Sequence, residues 1–355
     1  MRCHPRVRST ISTSSAIFLL RKIAAFALLF ALQGAPAFAW GTTGHLIINR
    51  AAMLALPASV PSFLRAQVAI DEVSALGPEL DRSKGSGRPH DPDSDPGHYV
   101  DVDDGGTIAG AIPLGALPGS REAYDAALDS AGTDEYRQGF LPYSIIDGWQ
   151  QVRKDLAYWR ADNYLSVHAG ARDRAWFARD RALREMLTLR DVGVWGHYVG
   201  DGSQPLHVTV HYNGWGRYPN PRHYTGRRGL HSLFEGAFTR DHARLSAVLH
   251  LVSRNAAPPG SPHGVIAQIQ AYLRVTSAQT EPLYELEKSG GFRFATPQAV
   301  NFMQQQLARG ASELRDLVVA AWTSSANAAV GYPEINVADI LQGRILPSRE
   351  AFGGD

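Results

Sequence analysis

The chain has 355 residues, 44% hydrophobic and 19% charged, a balance that excludes collagen-like, low-complexity and disordered proteins and supplies one large core or two smaller ones. The formal charge of +1 is unevenly spread: residues 1–39 hold five bases (Arg2, Arg6, Arg8, Arg21, Lys22) and no acid, leaving 30 basic against 34 acidic residues, or −4, in the rest. A chain of that sign attracts polyphosphates poorly unless something reverses the charge locally, and because the single cysteine is Cys3, the remainder has no thiol or disulfide chemistry.

In chain order, residues 1–39 run from a basic stretch through apolar Ile23 to Leu32 to the small-x-small sequence Ala37-Phe38-Ala39. They are expected to be an export signal cleaved after Ala39, which places the mature protein in the periplasm or outside the cell. The bland alternative is an uncleaved anchor, but this apolar run is well short of the roughly 20 helical residues that span a bilayer, so an integral membrane protein is not expected. Apolar residues then recur every three or four positions over 44–56, 59–70, 143–162, 173–201, 230–254, 261–275 and 336–342. The clearest case is Val300, Met303, Leu307, Leu314, Val318 and Trp322, preceded by Thr296 as a cap and Pro297 for the first turn. No stretch alternates with period two. The expectation is an all-α fold, one compact multi-helix domain over 40–345 with long loops and a short tail over 346–355. Two Gly- and Pro-rich connections, 77–142 and 208–229, are too long for plain linkers, which favours a functional role.

Five histidines lie in patterns that metals favour: His45, His98, His197, His207 and His231. His197 and Asp201 are four apart, so a helix projects both from one face; Pro205 then breaks that helix and His207 follows. His231 and Glu235 repeat the spacing. Asp81 and His98 sit in the first connection, among acids, prolines and glycines. Cleavage after Ala39 would leave Trp40 with a free α-amine, itself a metal ligand when deprotonated, five residues before His45. Any one of these alone also reads as a solvated pair, an acidic turn or chance; only their sum points to a polynuclear metal site.

Taken together, Trp40-Gly-Thr-Thr-Gly-His45, Gly97-His98-Tyr-Val-Asp101, Gly196-His197-Tyr-Val-Gly-Asp201-Gly-Ser-Gln-Pro-Leu-His207 and Leu230-His231-Ser-Leu-Phe-Glu235 resemble, in order, the motifs of the superfamily of zinc-dependent phospholipases C and single-strand-specific nucleases. These are all-helical exported enzymes with three zinc ions. The resemblance spans about 40–240. It implies one zinc on Asp81, His98, His197 and Asp201, with Asp201 bridging to a second held by Trp40 and His45, and a third on His207, His231 and Glu235. Asp91, Asp93 and Asp95 are neighbouring candidates for the place given to Asp81. The implied activity is phosphodiester hydrolysis by a metal-activated hydroxide, with Asp81, His197 and Asp201 at the catalytic centre.

The substrate divides two ways. Glu235 as the last ligand and the run His45-Leu-Ile-Ile-Asn-Arg50-Ala look more like the phospholipase branch. Against this, the loop before His231 interleaves Tyr212, Trp215, Tyr218 and Tyr224 with Arg217, Arg222, Arg227 and Arg228, a composition suited to stacking bases and holding phosphates. That favours a nuclease acting on single-stranded DNA or RNA, with Trp215, Arg217, Tyr218 and Arg222 as substrate contacts and phospholipase C as the alternative. A metal-sequestering protein without turnover is a third reading, disfavoured by three carboxylates and no cysteine. No protein partner is implied. His211 and His223 are expected at the surface, and Asp101, Asp103 and Asp104 as solvated turn acids.

Overall fold

A computed structural model describes residues 40–253 and 262–354; the expected export signal, with Cys3, lies outside the described residues. The fold is all-α. Helices α1 (Gly41–Leu54), α2 (Gln67–Leu76), α3 (Arg121–Ser130), α4 (Leu141–His168), α5 (Arg174–Asp201), α6 (Pro262–Ser277), α7 (Thr280–Lys288) and α8 (Pro297–Ser325) form the body. Strand is confined, among the described residues, to two hairpins of two-residue strands, Thr107–Ile108 with Ile112–Pro113 and Ala329–Val330 with Ile335–Asn336.

The scaffold is the pair α4 and α5, 28 residues each, joined by a five-residue turn and packed along their length. At 1.5 Å per residue each is about 42 Å long, enough to serve two different regions. Helix α8 crosses α4 and α1, its start fixed by Thr296 Oγ1 accepting from Ala299 N–H with Pro297 in the first turn. Helices α1 and α2 lie on the C-terminal half of α5, where glycines admit them. A Cβ at Gly196 would sit 2.2 Å from Asn49 Oδ1, and one at Gly200 would sit 3.0 Å from His45 Nδ1. The main core includes Ile48, Leu64, Leu141, Val199, Phe234 and Leu314; a second cluster of Ala157, Ala161, Leu165, Phe177, Val330 and Ile340 fills the opposite end of α4 and α5. The last residues close over that second cluster: Phe352 packs on Tyr158 and Phe177, and Tyr332 N–H donates to Ala351 C=O.

Two expected elements differ, and two helices were not expected: α3, inside the connection over 77–142, and α7. In place of a helix over 59–70 there is a single 3-10 turn, Ser62–Arg65, and then α2, because Pro57 and Pro61 stop the periodic pattern from becoming one helix. The pattern over 230–254 is three pieces: a helical run whose middle, Leu233–Phe238, is a π turn, then a break at Ala243 and Arg244, then Leu245–Leu251. Position 254 lies outside the described residues. Helix α7 has too few apolar positions to show in the sequence pattern, yet it buries Leu283 and Tyr284.

Candidate metal centre

The π turn places Glu235 where the local chemistry converges. Phe234 is its anchor, ringed by Trp40, Phe238, Phe292 and Phe302. The extra residue of a π turn, a form that gathers at functional sites, lets Phe234 face this core while His231 and Glu235 face the opposite way. The backbone of α1 abuts the same turn, since a Cβ on Gly41 would lie 3.1 Å from the Glu235 carbonyl oxygen.

Around that point the structure gathers three buried groups of donor atoms, each within 4.8 Å of one another: His45, Asp81 and His197; His98, His197 and Asp201; His207, His231 and Glu235. The first two share His197 and surround Asp201. His98 Nδ1 is 2.9 Å from Asp201 Oδ2, His45 Nε2 is 3.5 Å from Asp201 Oδ1, and His197 Nε2 is 3.5 Å from Asp201 and 3.6 Å from Asp81. The His45 and His197 rings stack at 3.7 Å. In the third group His231 Nε2 stands 2.7 Å and His207 Nε2 3.6 Å from Glu235 Oε2. His207 Nδ1, 3.9 Å from Asp201 Oδ1, makes the groups neighbours.

The donor set suits metal ions. His197 Nδ1 is 2.8 Å from the Gly77 carbonyl and His207 Nδ1 is 2.6 Å from the His98 carbonyl, so each Nδ1 carries the proton. Each Nε2 therefore turns a lone pair into the cluster, the arrangement by which outer hydrogen bonds orient metal-ligating imidazoles. Glu235 Oε1 and Asp201 Oδ1 are buried without a hydrogen-bond donor, an arrangement that costs several kcal/mol per ionised group unless a cation or a proton answers it. The electrostatics agree: burial holds His98 and His197 well below the ordinary imidazole range and His231 down to about 3, leaving them neutral, the ligand form. Burial lifts Asp201 well above the carboxylate range and Glu235 to about 7, and it also lifts Asp81, against which the Lys84 ammonium pulls down. Buried His/Asp/Glu clusters of this kind could hold metal ions.

Asp81, whose place Asp91, Asp93 and Asp95 also contested, is the aspartate in the cluster; Asp91 is bound up with His90 and Gly87. Trp40 is buried, its indole N–H donating to the Gly200 carbonyl at 2.9 Å and to Ser203 Oγ at 3.0 Å, which pins the start of α1 to the end of α5. The residue before it lies outside the described residues.

The expected substrate loop is corrected in part. Trp215 is 3% exposed, stacked on His211, packed against Tyr224 and Tyr284, and its N–H is used by Pro219 C=O, so it has no face for a base. Arg222 turns away from the cluster to Glu281 and Glu285. Tyr218 remains 44% and Tyr212 51% exposed, and Arg217 is exposed. His211 is not a surface residue: it is buried and pairs with Asp104, while Asp103 accepts from Gly105 N–H and Thr107 N–H. Asp101, also expected to be solvated, is raised to about 7 by burial.

Two residues at the centre escaped the sequence reading. Lys84 Nζ is 2.7 Å from Asp81 Oδ1, and Gln204 Nε2 donates to Glu235 Oε2 at 3.2 Å while its oxygen caps Leu206 N–H. The first follows Asp81 by three residues and the second precedes His207 by three, a proximity that is their only signal. Among the described residues no helix is long and apolar enough to cross a membrane. Comparison with protein-family models and with curated proteins returned no match.

Proposed function

We propose that this chain is an exported zinc-dependent phosphodiester hydrolase of the phospholipase C and single-strand-specific nuclease superfamily, acting on single-stranded DNA or RNA. The observation that carries this reading is the meeting of four separate sequence motifs in three contiguous, thiol-free donor groups. Zinc fits neutral imidazoles and carboxylates better than calcium or magnesium, which prefer all-oxygen shells. Bound there, the ions supply Lewis acidity toward a phosphoryl oxygen and lower the pKa of water.

The chain's own residues would do the rest. Asp81, His98, His197 and Asp201 hold one ion, His207, His231 and Glu235 another. His45 holds a third with Asp201 and, after cleavage behind Ala39, the Trp40 α-amine. Three ions against Asp81, Asp201 and Glu235 leave about three positive charges in excess, which reverses the sign of an acidic chain at this one place. Lys84, paired with Asp81, adds a cation beside the cluster that can turn from Asp81 to a phosphate oxygen. Tyr212, and Tyr218 whose ring meets His211 edge-on, stand half exposed in the loop that leads from His207 to His231 and offer ring faces to bases, each stack being worth about 1–3 kcal/mol.

Phospholipase C is the second reading, favoured by the burial of Trp215 and Tyr224, which halves the aromatic surface offered to bases, and by the exposure of Leu233 between two ligands. Parallel assays of the purified, zinc-loaded protein on single-stranded DNA, RNA and phosphatidylcholine vesicles decide between them. Cleavage of the nucleic acids with intact vesicles is the expected result; the reverse pattern establishes the lipase, and no hydrolysis of either overturns both.

A further inference from the structure

The two long connections leave the metal centre side by side. His207 Nδ1 meets the His98 carbonyl at 2.6 Å, Val100 N–H donates to His207 C=O at 2.9 Å, and Val210 N–H donates to Val102 C=O at 3.0 Å. The outermost rung joins side chains instead of backbone: His211 Nε2 lies 2.8 Å from Asp104 Oδ1. His211, itself 1% exposed, sets its Nδ1 2.9 Å from the Trp215 carbonyl.

A neutral imidazole has one N–H and one lone pair. Here both ring nitrogens face atoms that only accept, a carbonyl and an exposed carboxylate. Whichever nitrogen lacked a proton would set its lone pair against another. The surroundings favour a cation as well: Asp104 supplies the opposite charge, and the Trp215 indole lies flat on the ring at 3.7 Å with 14° between planes, a cation–π arrangement. The other groups facing the residue are the Tyr218 ring, edge-on at 5.0 Å, the Tyr284 O–H, which donates to His211 C=O, and Thr209 Oγ1, which accepts His211 N–H. Asp103 is spent on its own turn.

We propose that His211 is a doubly protonated clasp, a positioning residue whose ion pair with Asp104 holds the 98–104 and 207–211 segments in register and thereby fixes His98 and His207. The Tyr212 carbonyl next along faces the His231 ring without closing a full hydrogen bond to it, so the same clasp steadies a third ligand. The charge state stands on geometry alone; only its consequence for metal retention rests on the function proposed above.

Long-range proton–nitrogen NMR of histidine-labelled mature protein at pH 7 tests the first half. The expected His211 pattern is two protonated nitrogens, and one unprotonated nitrogen overturns the proposal. In Asp104→Asn, at an exposed site, the ring should fall to a single proton. Positioning is read from amide exchange at Val100 and Val210, which should quicken about tenfold in Asp104→Asn and in His211→Gln, with no further gain in the double variant. Unchanged exchange overturns the clasp whether or not zinc is present. Where zinc binds, its loss to a chelator should also quicken about tenfold, the low end of what outer partners of metal ligands contribute. Absence of zinc would fell the functional reading while leaving the NMR and exchange results to judge the clasp.

Discussion

Helices α4 and α5 bury carboxylates at both ends, and the two ends want different things. At the C-terminal end of α5, Asp201 lies among imidazoles whose lone pairs point inward, with Glu235 and Asp81 close by. Further back, Asp155 and Asp162 of α4 are equally buried but meet other acids, Asp191 and Asp180, with Arg184 the nearest base. Burial raises the acids in both regions: Glu235 to about 7, Asp155 to about 6 and Asp162 to about 9. At the first end neutral imidazoles offer one N–H each and turn their remaining lone pairs toward the carboxylates, a donor set that could hold a metal cation. A carboxylate beside a carboxylic acid is answered by one proton held between them.

The sharpest way to break this contrast is to remove donors from the first region. His197→Ala and Asp201→Ala should each lower hydrolysis of a phosphodiester by on the order of a thousandfold or more and reduce zinc content by elemental analysis. Either variant retaining three ions and full rate would show that the cluster is not the centre of the chemistry.

Next in size is chelation. The metal-free protein should melt about 5 °C or more below the zinc-loaded one, because donors from residues as distant as 45 and 235 are no longer tied together. The gap should depend on pH in a stated direction. Glu235 keeps its proton to about 7 in the folded metal-free protein but loses it near 4.5 when unfolded, so its contribution is complete below 4.5 and is lost as pH rises through 7. Depressed imidazoles such as His231 act oppositely, but only below their ordinary value near 6.5. Between pH 6.5 and 8 the chelated form should therefore weaken and the gap widen in scanning calorimetry. A gap that narrows over that range contradicts a carboxylate-bearing metal centre.

The smallest effect belongs to the second region. Asp162 holds its proton to about 9 when folded and to 3.8 when unfolded, so stability falls as pH climbs between those values. Asp162→Asn keeps a hydrogen-bonding side chain and removes the titration; it should raise the melting temperature by about 2–4 °C at pH 8 and hardly at all at pH 4. Zinc content should not change. Equal shifts at both pH values would mean that Asp162 is not held as the acid.

What the sequence discloses follows the same divide. His197 with Asp201, and His231 with Glu235, are visible because a four-residue spacing is a statement about one helix face, and both pairs do share a buried cluster. Asp81 needed the family resemblance, since nothing local separates it from Asp91, Asp93 and Asp95. Gln204 stayed hidden because it contributes through one long-range contact, to Glu235, that no spacing encodes, and Lys84 because a lysine three residues after an aspartate is an ordinary surface pair unless the aspartate is known to be buried. The aromatic loop misled for a related reason: Trp215 amid arginines looks presented, whereas Tyr224, Tyr284 and His211 enclose it. Composition tells what a loop contains and not which way it folds. Asp155, Asp162, Asp180 and Asp191 are scattered acids in sequence, and only the pairing of α4 with α5 makes couples of them.

The rings of His197 and His207 are set by main-chain oxygens, those of Gly77 and His98, and not by side chains. No point substitution can delete a peptide carbonyl, so the tautomers of these two histidines are shielded from ordinary genetic drift. What can disturb them is a change in the path of the chain. Gly77, a buried residue, is the weak point of that protection, for any Cβ there would press to 2.8 Å from the carbonyl oxygen of His45. A methyl group at a residue that contributes no donor atom would thus tilt one imidazole through its carbonyl and another through its neighbour, and a lineage carrying it would have a distorted cluster with every donor residue still spelled correctly in the gene.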